Sequence, residues 1–247
     1  MTDAATDLAQ LLTSAERERK SPNVRPKDAA TLILVDRTGS IPKVLLGKRH
    51  HKHSFMPGKF VFPGGRVDPS DRLMPVAKPL DMHAEQSLMR HTKRPSATRA
   101  RAIALAAIRE TFEETGLLLG ARHDGPARVP DGPWSEFAKA GFYPDLSTLH
   151  FIARAITPSR RPKRFDTRFF AVDASAIAHK VDGVVHADAE LVELVWLPIS
   201  EARSLDMPTI TGVALRELEA RVAAGFGHDL PVPFYRMPRN RFLRDLL

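Results

Sequence analysis

The sequence predicts an α/β protein from three observations. Apolar runs typical of β-strands occupy residues 29–35 and 43–49. A long segment with helical periodicity begins near Ser96 and ends at Gly116. Strand-type and helix-type segments then alternate to about residue 224. The chain has 247 residues, of which 43% are hydrophobic and 27% charged, so it can bury one large core.

The N-terminal region, 1–27, is predicted to be an arm outside the main fold. Leu8, Leu11 and Leu12 recur with helical spacing, and the charged segment 16–20 follows them. Two alternatives remain open from the sequence: the arm is a docking helix, or it is frayed.

A β-hairpin is predicted after this arm. The runs 29–35 and 43–49 are separated by turn-type residues at 36–40, which favours antiparallel pairing. A short strand at 60–62 then stops at a proline followed by Gly64 and Gly65. Paired glycines allow a sharp bend, and they allow a ligand or a cation to approach a backbone carbonyl.

The predicted organisation is one domain over residues 1–247. Prolines surround a modest helical candidate at 82–91, so 72–95 is interpreted as an insertion that lies outside the main core and shapes substrate choice. The segment 198–247 is predicted to be a helical extension, although its last part, from 231, has no clear periodicity. Further elements are predicted between these regions: strands at 150–157, 167–172 and 191–196, and helices at 198–205 and 212–224.

The helix that ends at Gly116 carries three carboxylates on one face. Glu110, Glu113 and Glu114 stand at i, i+3 and i+4, whereas apolar residues occupy the opposite face, which should pack on the core. These apolar residues are Leu105, Ile108 and Phe112. Three carboxylates this close repel one another unless a cation lies among them, and a hard divalent ion with oxygen ligands would serve. Arg109 can supply only part of the charge.

Composition excludes several classes of protein. The absence of cysteine excludes disulfides and thiolate sites, and no apolar run approaches the roughly 20 residues that a membrane helix needs. The first ten residues lack the apolar core of a signal peptide, so a cytoplasmic location without membrane association is expected. The formal charge of +8 favours anionic partners. Nucleic acid is disfavoured because only two Trp and two Tyr are present, and a phosphorylated small molecule fits the charge equally well.

The glycine turn and the acidic helix together resemble the signature of the Nudix hydrolase family. That signature is Gly, five residues, Glu, seven residues, then Arg-Glu-apolar-x-Glu-Glu-x-Gly-apolar, and residues 109–117 match its second half except at Thr111. In the first half, Asp71 stands at the position of the first glutamate, and 37 residues rather than seven separate it from Arg109. The segments 55–68 and 156–172 are similar to a branch that includes the peroxisomal acyl-coenzyme A diphosphatases of animals and their bacterial relatives.

The resemblance implies a fold and an activity. The fold would be an α/β/α sandwich around a mixed sheet, with an insertion before the catalytic helix and added C-terminal helices. The activity would be Mg²⁺- or Mn²⁺-dependent hydrolysis of a diphosphate linkage in a nucleoside-diphosphate-linked substrate, including coenzyme A or its acyl esters. Alternatives are an ADP-ribose or dinucleotide pyrophosphatase and a non-catalytic nucleotide-sensing module. The sensing module is disfavoured because the three glutamates are intact. A homodimer is compatible with the family.

The resemblance also implies roles for the residues of the helix. Glu113 and Glu114 would bind the metal ion together with the backbone carbonyl of Gly64. Glu110 would bind the metal or orient its water, and Arg109 would hold the glutamate side chains by charge-assisted hydrogen bonds.

Residues outside the helix are assigned on weaker grounds. In some members of the family an acidic residue on a later loop or strand is the general base, and the resemblance favours Glu190 here, with Asp188 and Glu193 as the next candidates. All three lie just before Trp196, and each could equally be an exposed acid at a strand edge. Substrate phosphates are expected to contact Arg49, Arg66 and one arginine of the downstream segment, either Arg164 or Arg168. Each of these arginines could equally form a structural ion pair.

Overall fold

The computed structural model describes residues 4–15, 19–52, 56–123 and 128–247. The predicted charged segment at 16–20 lies partly outside the described residues. The strands are β1 (Lys27–Asp36), β2 (Lys43–Arg49), β3 (Phe60–Val61), β4 (Gly64–Arg66), β5 (Leu117–Arg122), β6 (Phe142–Pro144), β7 (His150–Ile156), β8 (Phe165–Asp173), β9 (Ile177–Lys180), β10 (Leu191–Pro198), β11 (Pro233–Arg236) and β12 (Leu243–Leu246). The helices are α1 (Ala4–Ser14), α2 (Met82–Met89), α3 (Ala97–Thr115), α4 (Ser135–Lys139), α5 (Ile199–Ala202) and α6 (Thr209–Ala223).

A large mixed sheet forms the centre of the protein. Its strand order is β10-β2-β1-β8-β7-β11-β12, with β3 paired to β2 and β4 paired to β1. β1 runs parallel to β8 and antiparallel to β2, which confirms the predicted hairpin. A second sheet of three strands has the order β6-β5-β9. The sequence does not predict β5, β6 or β9, because these strands are short and their apolar and polar residues do not alternate clearly.

Helices cover both faces of the large sheet. Leu32 and Leu34 of β1 belong to the core under α3, whereas Ile33 and Val35 belong to the core that contains residues of α6 and α1. A central strand that is buried on both faces reads as a continuous apolar run. The predicted α/β fold with a mixed sheet between helical layers is confirmed.

The helix α3 has the ends that the sequence predicted. The Ser96 side chain accepts a hydrogen bond from the backbone N–H of Arg99, and Gly116 ends the helix in the left-handed conformation with φ of 73°. Leu105, Ile108 and Phe112 are buried, as expected.

Two predicted boundaries need correction. The insertion 72–95 does not lie outside the core, because Met74, Ala84 and Leu88 are buried in the same cluster as α3. The extension 198–247 is helical only as far as Ala223, and beyond it β11 and β12 add to the sheet. The Pro- and Arg-rich composition of this tail obscured two short strands.

The N-terminal arm is a docking helix over the residues that the structure describes. Leu8 and Leu12 are buried in the core that also contains residues of α6, while Leu11 is largely exposed. The remainder of this region, as far as it is described, leads into β1 without regular structure.

Candidate active site

The glycine turn and the acidic helix meet beside β1. β4 pairs with the first half of β1 through Thr31 and Gly64, and α3 packs against both strands. A Cβ atom at Gly65 would lie 2.3 Å from Cδ of Glu110, and one at Gly64 would lie 2.4 Å from the carbonyl oxygen of Ala30. Glycine is therefore required at position 64, where the obstacle is backbone, whereas a side chain at position 65 would displace the carboxylate of Glu110 on α3.

Arg109 lies at the centre of the carboxylate cluster. Its Nη1 donates to Glu110 at 2.9 Å and to Glu113 at 3.0 Å, and its Nη2 donates to the carbonyl of Arg66 at 2.8 Å. Its Nε and Nη2 also donate to the two oxygens of Asp71, at 2.8 and 3.2 Å. Burial opposes the charge of Arg109, but the carboxylates prevail and raise its pKa. Arg109 thus orients two of the three helix glutamates.

Asp71 reaches Arg109 despite the long insertion between them. It is 0% exposed, and it also accepts hydrogen bonds from Nε1 of Trp134 at 3.0 Å and from the backbone N–H of Asp68 at 2.8 Å. Asp68 caps the short 3₁₀ helix Pro69–Arg72, which carries Asp71 into this position. Asp71, which occupies the position of the first glutamate of the signature, therefore forms an ion pair with Arg109 of α3. The sequence reading missed Trp134, since nothing local to it indicates so distant a partner.

Glu114 lies deeper than the other two glutamates. Its Oε2 accepts a hydrogen bond from the backbone N–H of Gly64 at 3.2 Å. Burial, followed by the charges of Glu190 and Glu110, raises its pKa well above the usual value. Burial also raises the pKa of Glu110 and of Glu113, although Arg109 acts in the opposite direction. The cluster therefore has an excess of negative charge that a cation would relieve.

The donor set fits a hard divalent cation in chemistry, although the side chains do not converge as ligands in this conformation. Carboxylate oxygens and a glycine carbonyl are the ligands that Mg²⁺ and Mn²⁺ prefer. Among the described residues, no three Asp, Glu or His side chains are grouped closely enough to hold a metal ion. The physical reason is that Arg109 lies between Glu110 and Glu113, while Glu114 turns toward the N–H of Gly64.

Glu190 lies beside the cluster. It immediately precedes β10, which pairs with β2, and its carboxylate forms an ion pair with Arg49 at 2.7 Å. Its charge contributes to the raised pKa of both Glu110 and Glu114. Glu193 instead lies 4.0 Å from the amine of Lys48. The charge of Glu190 thus acts on the carboxylate cluster, which favours Glu190 among the three acids predicted as general base.

The three arginines predicted to bind substrate have different surroundings. Arg66 is exposed at the edge of the cluster, and its carbonyl contacts Arg109. Arg49 is mostly buried and is paired with Glu190. Arg168 is 0% exposed and forms ion pairs with Asp28 at 2.8 Å and Asp166 at 3.2 Å. The structure does not support a substrate contact for Arg168, because its guanidinium is enclosed between β-strands.

A carboxylate-bearing helix packed over a glycine turn beside a mixed sheet is the arrangement that the resemblance to the Nudix hydrolases implied. No family model matches the chain. It is 34% identical over 131 residues to an acyl-coenzyme A diphosphatase of Xenopus laevis, a match that covers 38% of this chain and 34% of that protein. It is 30% identical over 156 residues to nudix hydrolase 7 of Caenorhabditis elegans, over 58% of this chain and 43% of that protein. The chain thus spans less than half the length of either relative.

A solved structure extends the comparison to most of the chain. The structure of a Nudix hydrolase from Alicyclobacillus acidocaldarius superposes with a TM-score of 0.59 at 28% identity, over 80% of this chain and 92% of that one. The chain is therefore a relative of the Nudix hydrolases in both sequence and fold, as the signature predicted. Among the described residues, no helix is long and apolar enough to cross a membrane.

Proposed function

We propose that this chain is a divalent-metal-dependent pyrophosphohydrolase that cleaves a diphosphate linkage in a nucleoside-diphosphate-linked molecule. The observation that carries the proposal is the group of Glu110, Glu113 and Glu114 beside the glycine turn, where partial or full burial and the charges of neighbouring carboxylates raise their pKa values. Unbalanced buried carboxylates are costly unless they serve a bound cation. The similarity to Nudix hydrolases supports the same reaction class.

The ion would be Mg²⁺ or Mn²⁺, held by Glu110, Glu113, Glu114 and the carbonyl of Gly64. When bound, it would neutralise the negative charge of the diphosphate and act as a Lewis acid. Arg109 has a positioning role, because it bonds one oxygen of Glu110 and one of Glu113 and leaves the other oxygen of each to a ligand.

Glu190 is proposed as the general base that accepts a proton from the attacking water. Its carboxylate is exposed on one side and is oriented on the other by the guanidinium of Arg49. In-line attack on a phosphorus atom requires such an oriented acceptor. Arg66, which is exposed beside the cluster, is proposed to contact a substrate phosphate, and Arg49 contributes positive charge at the opposite side.

Coenzyme A and its acyl esters are the proposed substrates, since the Xenopus laevis relative is named as an acyl-coenzyme A diphosphatase. ADP-ribose and dinucleotides share the diphosphate linkage and are the alternatives. A nucleotide-sensing module would bind these molecules without cleaving them.

A substrate panel tests the proposal. The protein is incubated with Mg²⁺ or Mn²⁺ and with coenzyme A, an acyl-coenzyme A, ADP-ribose, NADH and diadenosine polyphosphates, and products are resolved by chromatography. Cleavage of a diphosphate linkage into two phosphate-bearing products is expected. Mn²⁺ binding, followed by electron paramagnetic resonance, gives a readout that is independent of turnover. Binding of a nucleotide without any cleavage would instead support the sensing module.

Matched variants locate the chemistry. Glu114→Gln should weaken Mn²⁺ binding and abolish cleavage, because it removes a charge and preserves volume. Glu136→Gln is the control, because Glu136 is an exposed glutamate that pairs with Lys139 on α4. Equal effects of both substitutions would contradict the assignment of the site.

A further inference from the structure

A strongly basic surface lies at the end of the sheet where β1 begins. Three chain segments, 19–25, 157–164 and 236–241, meet there, and we call them the basic end. The backbone N–H of Ser21 donates to the carbonyl of Arg160 at 3.1 Å, and Nη1 of Arg19 lies 3.6 Å from the sulfur of Met237. The segments contain ten basic residues and no acidic ones: Arg19, Lys20, Arg25, Arg160, Arg161, Lys163, Arg164, Arg236, Arg239 and Arg241. Ten of the 37 Lys and Arg residues of the chain therefore belong to this end of the sheet.

The basic end contains a cavity of about 250 Å³. Arg164 and Arg236 lie on its wall, together with the hydroxyl-bearing residues Thr157 and Ser159. This volume is smaller than the roughly 300–1,000 Å³ of pockets that enclose a whole drug-sized ligand. It suits a phosphate group and a part of the molecule that carries it.

The two guanidinium groups at the cavity differ in their partners, which are neutral oxygens for Arg164 and a carboxylate for Arg236. Arg164 donates to three neutral oxygens: the carbonyl of Thr157 at 3.1 Å, Oδ1 of Asn23 at 3.0 Å and the carbonyl of Val24 at 2.6 Å. These bonds fix the side chain without cancelling its charge, and burial lowers its pKa. Arg236 forms an ion pair with Asp245 at 2.6 Å through Nε. Among the described residues that line the cavity, none is acidic.

We propose that this cavity binds a phosphate group of a phosphorylated ligand at a site separate from the carboxylate cluster. Guanidinium groups recognise phosphate oxygens through parallel N–H donors, and a fixed guanidinium loses little entropy on binding. The Thr157 hydroxyl accepts a hydrogen bond from the backbone N–H of Phe165 at 3.1 Å, so its own hydrogen can point to a ligand.

The position of the cavity distinguishes it from the proposed active site. The cavity lies beside β7 and β11, whereas the glycine turn is attached to β1, and β8 separates β1 from β7. The glycine turn itself lies on β4, so three to four strand spacings separate it from β7 and β11. With strands about 4.8 Å apart, the two sites are on the order of 15–20 Å from each other. The ligand phosphate is therefore either a remote phosphate of an extended molecule or part of a separate one.

The test is titration calorimetry with pyrophosphate in the absence of divalent metal, which leaves the carboxylate cluster without its ion. The native protein should bind pyrophosphate, and Arg236→Gln should weaken binding by about tenfold or more, as expected for the loss of a charge-assisted hydrogen bond. Ser159→Asp, which introduces a carboxylate at the cavity wall, should abolish binding.

Arg37→Gln is the matched control. Arg37 forms an ion pair with Asp173 at 2.8 Å and lies over the ring of Phe226, just as Arg236 pairs with Asp245 and lies over Phe234. It follows the opposite end of β1, so its substitution should leave pyrophosphate affinity unchanged. Failure of the native protein to bind pyrophosphate, or equal losses in Arg37→Gln and Arg236→Gln, would overturn the proposal. Neither result bears on diphosphate cleavage, which is measured separately.

Two phosphate-bearing ligands distinguish whether the bound phosphate belongs to a small molecule or to a nucleic acid. Adenosine 3′,5′-bisphosphate represents a small molecule, and a ten-nucleotide single strand represents nucleic acid. The affinity of the strand should fall steeply with salt because several phosphates would be contacted, whereas that of the bisphosphate should fall less. Loss of binding in Arg236→Gln supports the site with either ligand, and the tighter ligand identifies the source.

Discussion

Substitution of Asp71 by Asn tests the link between α3 and the short 3₁₀ helix Pro69–Arg72, which leads into the insertion. All four contacts to the Asp71 carboxylate come from N–H donors, which are Nε and Nη2 of Arg109, Nε1 of Trp134 and the backbone N–H of Asp68. An amide has one oxygen, so its NH₂ group would face at least one of these donors. No rotation of the side chain removes the conflict, because both carboxylate oxygens are used.

The expected loss of stability follows from burial. Asp71 is 0% exposed and Arg109 is nearly buried, so the variant leaves a buried cation without its charged partner. Removal of one partner from a buried ion pair costs about 3–5 kcal/mol. We expect the lower part of this range, because Arg109 keeps its bonds to Glu110 and Glu113.

Urea unfolding followed by circular dichroism gives the free energy of unfolding. Asp68→Asn is the control, since Oδ1 of Asp68 alone accepts the bonds from Ser70, and an amide oxygen can replace it. This control should lose no more than about 1 kcal/mol, as for a helix cap. A loss below about 1 kcal/mol for Asp71→Asn would refute the view that the pair with Arg109 holds the 3₁₀ helix Pro69–Arg72 against α3.

Three further predictions concern the cluster and the core. Glu114→Gln should lower turnover by several orders of magnitude with an unchanged circular dichroism spectrum, and full activity would refute its role. Gly65→Ala should lower activity more than stability because its methyl group would displace the carboxylate of Glu110, and native activity would contradict the observed packing. Burial and the adjacent His228 lower the pKa of His150 to about 3. Between that value and the usual pKa of about 6.5, the imidazole is protonated in the unfolded chain but not in the folded chain. The free energy of unfolding therefore falls as the pH falls through this range. In His150→Phe, the decrease in unfolding free energy from pH 7.5 to pH 5.0 should be smaller by about 1–2 kcal/mol, and an unchanged decrease would exclude this contribution.

Features that depend on residues close together in the chain can be predicted from the sequence. The limits of α3 follow from Ser96 at its start and from Gly116, which adopts the left-handed conformation at its end. The common face of its three glutamates follows from helical spacing alone. The β1–β2 hairpin follows from two apolar runs and a polar turn between them.

Ion pairs between segments that are far apart in the chain cannot be predicted from the sequence in the same way. The sequence leaves two roles open for Arg168, a substrate contact and a structural ion pair. Asp28 on β1 and Asp166 on β8 form ion pairs with it and allow it to be buried. A sequence does not reveal which acid compensates which base when the strands that carry them are far apart in the chain. For the same reason, the prediction that the insertion 72–95 lies outside the core was wrong.

The sequence by itself determined the acidic helix, the glycine turn and their resemblance to the Nudix signature, because these are patterns of residues close together in the chain. Only the tertiary structure decided that Asp71 reaches Arg109 and that Trp134 donates to the same carboxylate. It also decided that basic residues from three separate segments surround one cavity. The physical reason is that burial and long-range ion pairing depend on where the sheet brings distant segments together.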